Sequence, residues 1–439
     1  MTHSKSTGLT LLFLTLLLGI FITPNLSAQT PNLPWDWSGV IGTGQSLSVG
    51  ARAFDIKATN QLYGNLQLST DHLPWPIDPD NTNLMLIPLT EPIGRHSPAY
   101  PSSWPENIEA ETYHTAMADE VSVLVHDATG HDFIGVHSEV GENGQGMKYI
   151  KKGAVHHGLN GRSYEGAMIE TKAIERLAKA QGKTFGVGAI VVTHGESDAG
   201  NTDYEAELHQ LWSDYNTGVR VITRQRQIIQ MILSQQNVVV DYSPSTQAQW
   251  KIGVDYPKDI VCSGPKYQYP YYTDGIHLIS DGYEQLGEKY GEVYFHRVIL
   301  GEDWEPLYPT GIKRGGAVIT IQFHVPTPPL DWDTNMQPAH PSIEEWKNSK
   351  GFEACTSSGT KVAIKSVEIS DDSVIITCVT DPGENAKVSY AMVSEKNRRT
   401  IPSGGTVRWG LLRDSDPFVG AFTKKAQPNY CVAFEMAAP

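Results

Sequence analysis

Positive charge, cysteine and long apolar runs are all scarce in this chain. Its 439 residues carry 34 Lys and Arg against 49 Asp and Glu, a formal net charge of −15. Nucleic acid and anionic membrane surfaces are held through basic patches, so neither is an expected partner. Four cysteines, Cys262, Cys355, Cys378 and Cys431, are too few to be the basis of a chain this long. Three of them fall in the last quarter, where an oxidising compartment permits one bridge, with the pairing left open. The longest apolar run, 11–22, is too short for a membrane span. It follows Lys5 and precedes the small residues Ser27 and Ala28, the pattern of a secretory signal. The expectation is a signal peptide over 1–28 and a secreted or periplasmic protein with no membrane partner after cleavage. Phosphate-cradling glycine motifs, paired redox cysteines, internal repeats and low-complexity tracts are all missing. A hydrophobic content of 40% and a charged content of 19% suit a globular protein and exclude extensive disorder.

What is present is an alternation of strand and helix patterns. A short apolar run, Val40-Ile41-Gly42, ends in Gly44-Gln45-Ser46-Leu47-Ser48. Residues 51–108, rich in Pro, Asn and Asp, show no sustained period and read as a long irregular insertion lying over a site. Helical spacing follows at 109–125, 162–181, 203–224, 243–253 and 280–300, with apolar strand runs at 133–136, 188–192, 228–233 and 260–262. Each strand ends in a polar or Gly-rich cluster. Five strands alternating with helices predict a doubly wound α/β fold, three layers around a parallel sheet, at 29–305. From 306 to 439 the texture changes to short alternating runs (317–325, 361–369, 374–379, 387–392, 431–434) separated by turn signals. These predict a smaller C-terminal all-β sandwich.

The clusters at the strand ends carry the candidate chemistry. Ser46, lifted on a tight turn at the carboxyl end of the first strand, is a candidate nucleophile, but a serine hydroxyl needs a base and an orienting carboxylate. Asp274-Gly275-Ile276-His277, just before the last helix, supplies both types. A carboxylate three residues before an imidazole, across a Gly turn, can fix the ring's tautomer and leave its other nitrogen for the serine. First and last loops meet at one edge of such a sheet, so residues distant in sequence become neighbours. The Gly-rich run 141–146 and His194-Gly195-Glu196 follow the second and third strands and can offer donors to an oxyanion. Tyr267, Tyr269, Tyr271 and Tyr272 suit either sugar stacking or loop packing. His126, His131, His156 and His157 lack a matched third ligand, so neither a metal nor an organic cofactor is expected.

Gly-Gln-Ser, the Gly-rich second loop, His-Gly-Glu-Ser-Asp and Asp-Gly-Ile-His occur in the order of the SGNH hydrolase superfamily. They look most like its sialate O-acetylesterase and carbohydrate acetylesterase branch, and the resemblance covers about residues 38–300. It implies a flavodoxin-like fold, Ser46 as nucleophile, His277 as general base and acid, and Asp274 as its orienter. It further implies oxyanion contacts from the Ser46 N–H, from Gly144 in preference to Gly141, and from His194. Gln45 is a candidate substrate contact, and Glu196 can either bind substrate hydroxyls or cap the following helix. Block one has Gln45 where many relatives have Asp. Block three has His194 where relatives have Asn or Gln. The implied function is an exported esterase removing acetyl groups from an acetylated carbohydrate, with no cofactor. A lipase or thioesterase on the same fold, and a non-catalytic glycan-binding protein, are the competing readings; oligomeric state is not legible.

Overall fold

A computed structural model describes residues 1–2, 31–69, 76–94, 108, 110–156, 159–160, 162–237, 243–336, 348–392, 399–400 and 406–439. The expected signal segment lies almost wholly outside the described residues.

The first half is built on a seven-stranded sheet. Its strands are β1 (Trp37–Gly44), β2 (Leu66–Ser69), β3 (Met85–Pro88), β4 (Gly135–Glu139), β5 (Phe185–Thr193), β6 (Gln230–Gln235) and β7 (Ile260–Pro265), ordered β3-β2-β4-β1-β5-β6-β7. All adjacent pairs are parallel except β2 and β3. The five strands β4-β1-β5-β6-β7 run in flavodoxin-like order, second-first-third-fourth-fifth. The period of two sorts their side chains cleanly. Val40, Ala189, Val191, Ile232 and Val261 face one helical layer, α1 (His114–Thr129) and α6 (Ser280–Tyr294). Ile41, Ile190, Val192, Leu233 and Cys262 face the other, α3 (Arg162–Ala180), α4 (Tyr204–Thr223) and α5 (Pro244–Asp255). Strands covered on both faces have no polar side, which is why β5 reads as an unbroken run. A short helix, α2 (Met147–Ile150), follows β4, and α6 continues into a π-helical turn, Phe295–Leu300.

The expected irregular insertion at 51–108 is corrected in part. It contributes β2 and β3, which extend the sheet beyond β4: Leu66 and Gln67 pair with Val136 and His137, and β3 returns antiparallel to β2. Four-residue strands between Pro- and Asn-rich turns are too short to show a period.

The C-terminal part forms two four-stranded antiparallel sheets. One contains β8 (Tyr308–Gly315), β9 (Val318–His324), β12 (Ile364–Ser370) and β13 (Ser373–Cys378); the other contains β10 (Phe352–Cys355), β11 (Lys361–Val362), β14 (Ala386–Tyr390) and β15 (Phe434–Ala438). Phe323 of the first sheet meets Phe434 of the second edge to face, and both belong to one apolar core. The strand expected at 431–434 begins at its last residue instead. Residues 431–433 are held by the α/β half: the Gln235 amide grips both the N–H and the C=O of Ala433 (2.7 Å each), and the Tyr267 hydroxyl donates to Cys431 O (2.8 Å). Further along, Glu288 of α6 accepts from the Phe422 and Thr423 N–H groups. The β part is thus tied into the α/β part through buried side-chain-to-backbone bonds. All four cysteines are buried and unpaired, so no bridge forms; Cys378 and Cys431 serve as small apolar core residues.

Candidate active site

The five core strands deliver their following loops to one edge of the sheet. At β1 the chain order reverses, with β4 on one side and β5 on the other. That switch point is where open α/β sheets leave a crevice for ligands. Ser46 stands there. Gly44, at φ +147°, lets β1 pass within contact of β5; a Cβ at that position would lie 2.2 Å from Thr193 O. The following turn closes through Ser48 N–H to Gln45 O (2.8 Å) and Ala51 N–H to Ser46 O (3.0 Å). Ser46 is 5% exposed at its start.

The last loop reaches the same place. Tyr271 and Leu278 form a single antiparallel bridge, and between them the chain turns at Gly275 (φ +68°). Asp274 Oδ1 accepts from the backbone N–H groups of Ile276 (2.9 Å) and His277 (3.0 Å), which leaves Oδ2 for His277 Nδ1 at 2.7 Å. His277 Nε2 lies 2.8 Å from Ser46 Oγ. Hydroxyl, imidazole and carboxylate therefore form one hydrogen-bonded chain across 231 residues of sequence. Partial burial raises the Asp274 carboxyl, but the bonds from the His277 ring and from two backbone N–H groups outweigh it and hold the group below its ordinary value. An ionised carboxylate at Nδ1 keeps the proton on that nitrogen and the lone pair of Nε2 toward Ser46.

The other expected residues sit in the same region with different partners. Gln45 does not face a ligand: it is 2% exposed and its Oε1 accepts the Ser197 N–H (2.9 Å), fastening the first loop to the third. His194 is fully buried. Its Nε2 contacts Gln145 O (3.0 Å), a pure acceptor, so that nitrogen carries the proton and Nδ1 accepts from the Tyr204 hydroxyl (2.7 Å). Burial pushes the ring's pKa down, in keeping with this neutral form. No N–H is left on His194 for an oxyanion; it braces the second loop instead. Asp198 assists by accepting the Met147 N–H (2.6 Å) at the start of α2. Glu196 is paired with Lys266 (2.9 Å), both side chains almost completely buried. Gly144, at φ +70°, stands on the exposed tip of the second loop, where an added Cβ would touch nothing within 4 Å. The N–H of Gly141 is occupied by Glu139 Oε1 (2.5 Å). Of the tyrosines, Tyr267, Tyr269 and Tyr271 are buried, which corrects any stacking role for them. Their hydroxyl bonds to backbone carbonyls account for Tyr267 and Tyr271 as loop packing. Among the described residues no group of three or more His, Cys, Asp or Glu could hold a metal ion, and none of their helices is long and apolar enough to cross a membrane.

Sequence reasoning passed over Glu139, at the end of β4. Its carboxylate accepts from the Ser48 hydroxyl and the Gly141 N–H through Oε1, and lies 3.2 Å from Tyr113 Oη and 3.0 Å from His114 Nε2 through Oε2. The available signal was Gly42, directly after Val40-Ile41 in β1, since a Cβ there would fall within 2.5 Å of Glu139, His114 and Tyr113 side-chain atoms.

The doubly wound sheet thus carries a Ser-His-Asp hydrogen-bonded chain at its switch point. Among solved structures, the chain is similar to a carbohydrate acetylesterase from Xanthomonas citri, with a TM-score of 0.56 at 15% identity over 91% of this chain and 80% of that one. The shared fold therefore extends across both the α/β and the β parts. More distant likenesses include NanS (TM-score 0.36, 9% identity, 61% of this chain and 98% of that one) and a carbohydrate acetylesterase from Sinorhizobium meliloti (0.30, 13%, 58% and 96%). No family model matches the chain, and no curated protein matches it in sequence.

Proposed function

We propose that this protein is an exported serine esterase that hydrolyses O-acetyl esters on carbohydrate through an acyl-serine intermediate. The observation that carries the reading is the 2.8 Å and 2.7 Å chain from Ser46 through His277 to Asp274. The fold shared with a carbohydrate acetylesterase supports the substrate class.

In this reading Ser46 Oγ attacks the ester carbonyl as His277 Nε2 takes its proton. Asp274 stabilises the imidazolium that results. The oxyanion is met by the Ser46 N–H and by a second-loop N–H, for which Gly144 is the candidate because Gly141 is engaged by Glu139. The imidazolium returns its proton to the departing sugar oxygen. Water, deprotonated by the same imidazole, then releases acetate from the serine. Gln45, His194 and Glu196 hold the loops rather than the substrate. Export rests on the apolar N-terminal run behind Lys5.

Acetate release across a panel of acetylated polysaccharides and sialosides tests the proposal, with Ser46→Ala as the blank. Release by the wild type and none by the variant is expected. Turnover of p-nitrophenyl acetate by Ser46→Ala at near-wild-type rate would refute the mechanism. A p-nitrophenyl ester series should show the acetate preferred; preference for long acyl chains would point to a lipase instead.

A further inference from the structure

Glu139 is buried at 2% exposure directly behind the first and second loops, and among the described residues no Lys or Arg contacts its carboxylate. Its four partners come from three places. Ser48 lies two residues after the nucleophile. The Gly141 N–H opens the second loop. Tyr113 and His114 stand at the start of α1, all four bonds spanning 2.5–3.2 Å. His114 is backed in turn by His137, Nδ1 to Nδ1 at 3.0 Å. Burial and the neighbouring His114 keep His137 well below its ordinary pKa, so it is neutral. Two glycines close the cradle. A Cβ on Gly42 would lie 2.3 Å from Glu139 Oε2, and one on Gly141 would lie 2.6 Å from Ser48 Oγ. The backbone has thus given up side chains at both positions to admit this carboxylate.

We infer that Glu139 is a positioning residue that sets the separation of the first and second loops, and with it the spacing of the two N–H groups offered to the oxyanion. This rests on the proposed esterase site. One oxygen, Oε1, receives both the Ser48 hydroxyl and the Gly141 N–H, so a single atom joins the two loops. The effect falls on the transition state, because oxyanion donors act where charge develops and little on the ground-state ester.

The test is steady-state kinetics on p-nitrophenyl acetate, together with the rate at which a fluorophosphonate labels Ser46. Glu139→Ala should lower kcat about 100-fold, the scale of one misplaced oxyanion donor, with KM within about threefold, and should slow labelling in parallel. Glu139→Gln should recover kcat to within about tenfold of wild type. Its amide oxygen still accepts from Ser48 and Gly141. Its NH2 meets Tyr113 and His114, and His114 can accept once the proton shared with His137 shifts. Ser48→Ala removes one leg without opening the cradle and should cost about tenfold in kcat; combined with Glu139→Ala it should add nothing further. An unchanged kcat in Ser48→Ala, or a Glu139→Gln as impaired as Glu139→Ala, overturns the inference, the former even where Glu139→Ala does not fold. Wild-type enzyme that neither labels nor turns over would instead overturn the esterase reading itself.

Discussion

Replacing Asp274 by Asn separates orientation from shape. The two side chains are nearly isosteric, and an amide oxygen still accepts from the Ile276 and His277 N–H groups at 2.9 and 3.0 Å, so the turn should persist. What changes is the atom facing His277 Nδ1 at 2.7 Å. An NH2 group can only donate, so Nδ1 must become the acceptor and the ring proton moves to Nε2. The nitrogen 2.8 Å from Ser46 Oγ then no longer takes a proton. In the serine-protease triad the same exchange costs about 10⁴-fold in kcat. At 1.36 kcal/mol per factor of ten, that is about 5.4 kcal/mol of barrier. A discount is due because the Asp274 side chain here is 31% exposed and water competes for its position. A loss of about 10³-fold or more in kcat on p-nitrophenyl acetate is therefore expected, with KM and the melting temperature close to wild type. Proton NMR of the imidazole should show the proton transferred from Nδ1 to Nε2. A kcat within tenfold of wild type would remove Asp274 from the mechanism, and a collapsed melting temperature would show that it acts on the fold.

Other outcomes follow from the same geometry. Because the folded-state pKa of Asp274 is depressed below its ordinary 3.8, its contribution to stability is present above that pH and lost as pH falls through the lower folded value; acid unfolding of Asp274→Asn should lack this component. Burial and the nearby Glu91 and Glu284 carboxyls push Glu111 up from 4.5 to about 8, against the Lys57 and Ala58 N–H bonds, a penalty that grows as pH rises between those values. The melting temperature of Glu111→Gln should accordingly gain on wild type from pH 4.5 to 8 and hold constant above; a constant difference across that window would contradict the assignment. Gly42→Ala forces a methyl within 2.5 Å of three buried polar atoms and should cost about 1–3 kcal/mol or abolish soluble expression, read by urea unfolding. Gln235→Ala strips the partners from both the N–H and the C=O of Ala433 and should destabilise by about 1–3 kcal/mol per orphaned group. If the α/β and β parts are joined as described, its unfolding should shift as a whole.

The fold was legible where strands are buried on both faces. Runs such as 188–192 can only be central strands, and the alternation of five of them with amphipathic helices leaves few topologies. The insertion was not legible, because β2 and β3 draw their stability from the edge of β4 rather than from any period of their own. The same reason hid Tyr308–Gly315 and Phe352–Cys355, strands that complete sheets others define. At the site, residue type and order singled out Ser46, Asp274 and His277 as the candidates. They misdirected Gln45 and His194, whose side chains could equally meet a ligand or a neighbouring loop.

The local sequence by itself determined which residues could react: a serine on a glycine turn, and an acid three positions before an imidazole, each a property of a short segment. Whether they meet was decided only by the tertiary structure, because the 2.8 Å between Ser46 and His277 depends on two loops brought together by a sheet whose strands are drawn from residues 37–265. The same holds for Glu139 and His194. A buried polar group must find partners, and which partners it finds, loop backbone or substrate, is a matter of packing that no single segment encodes.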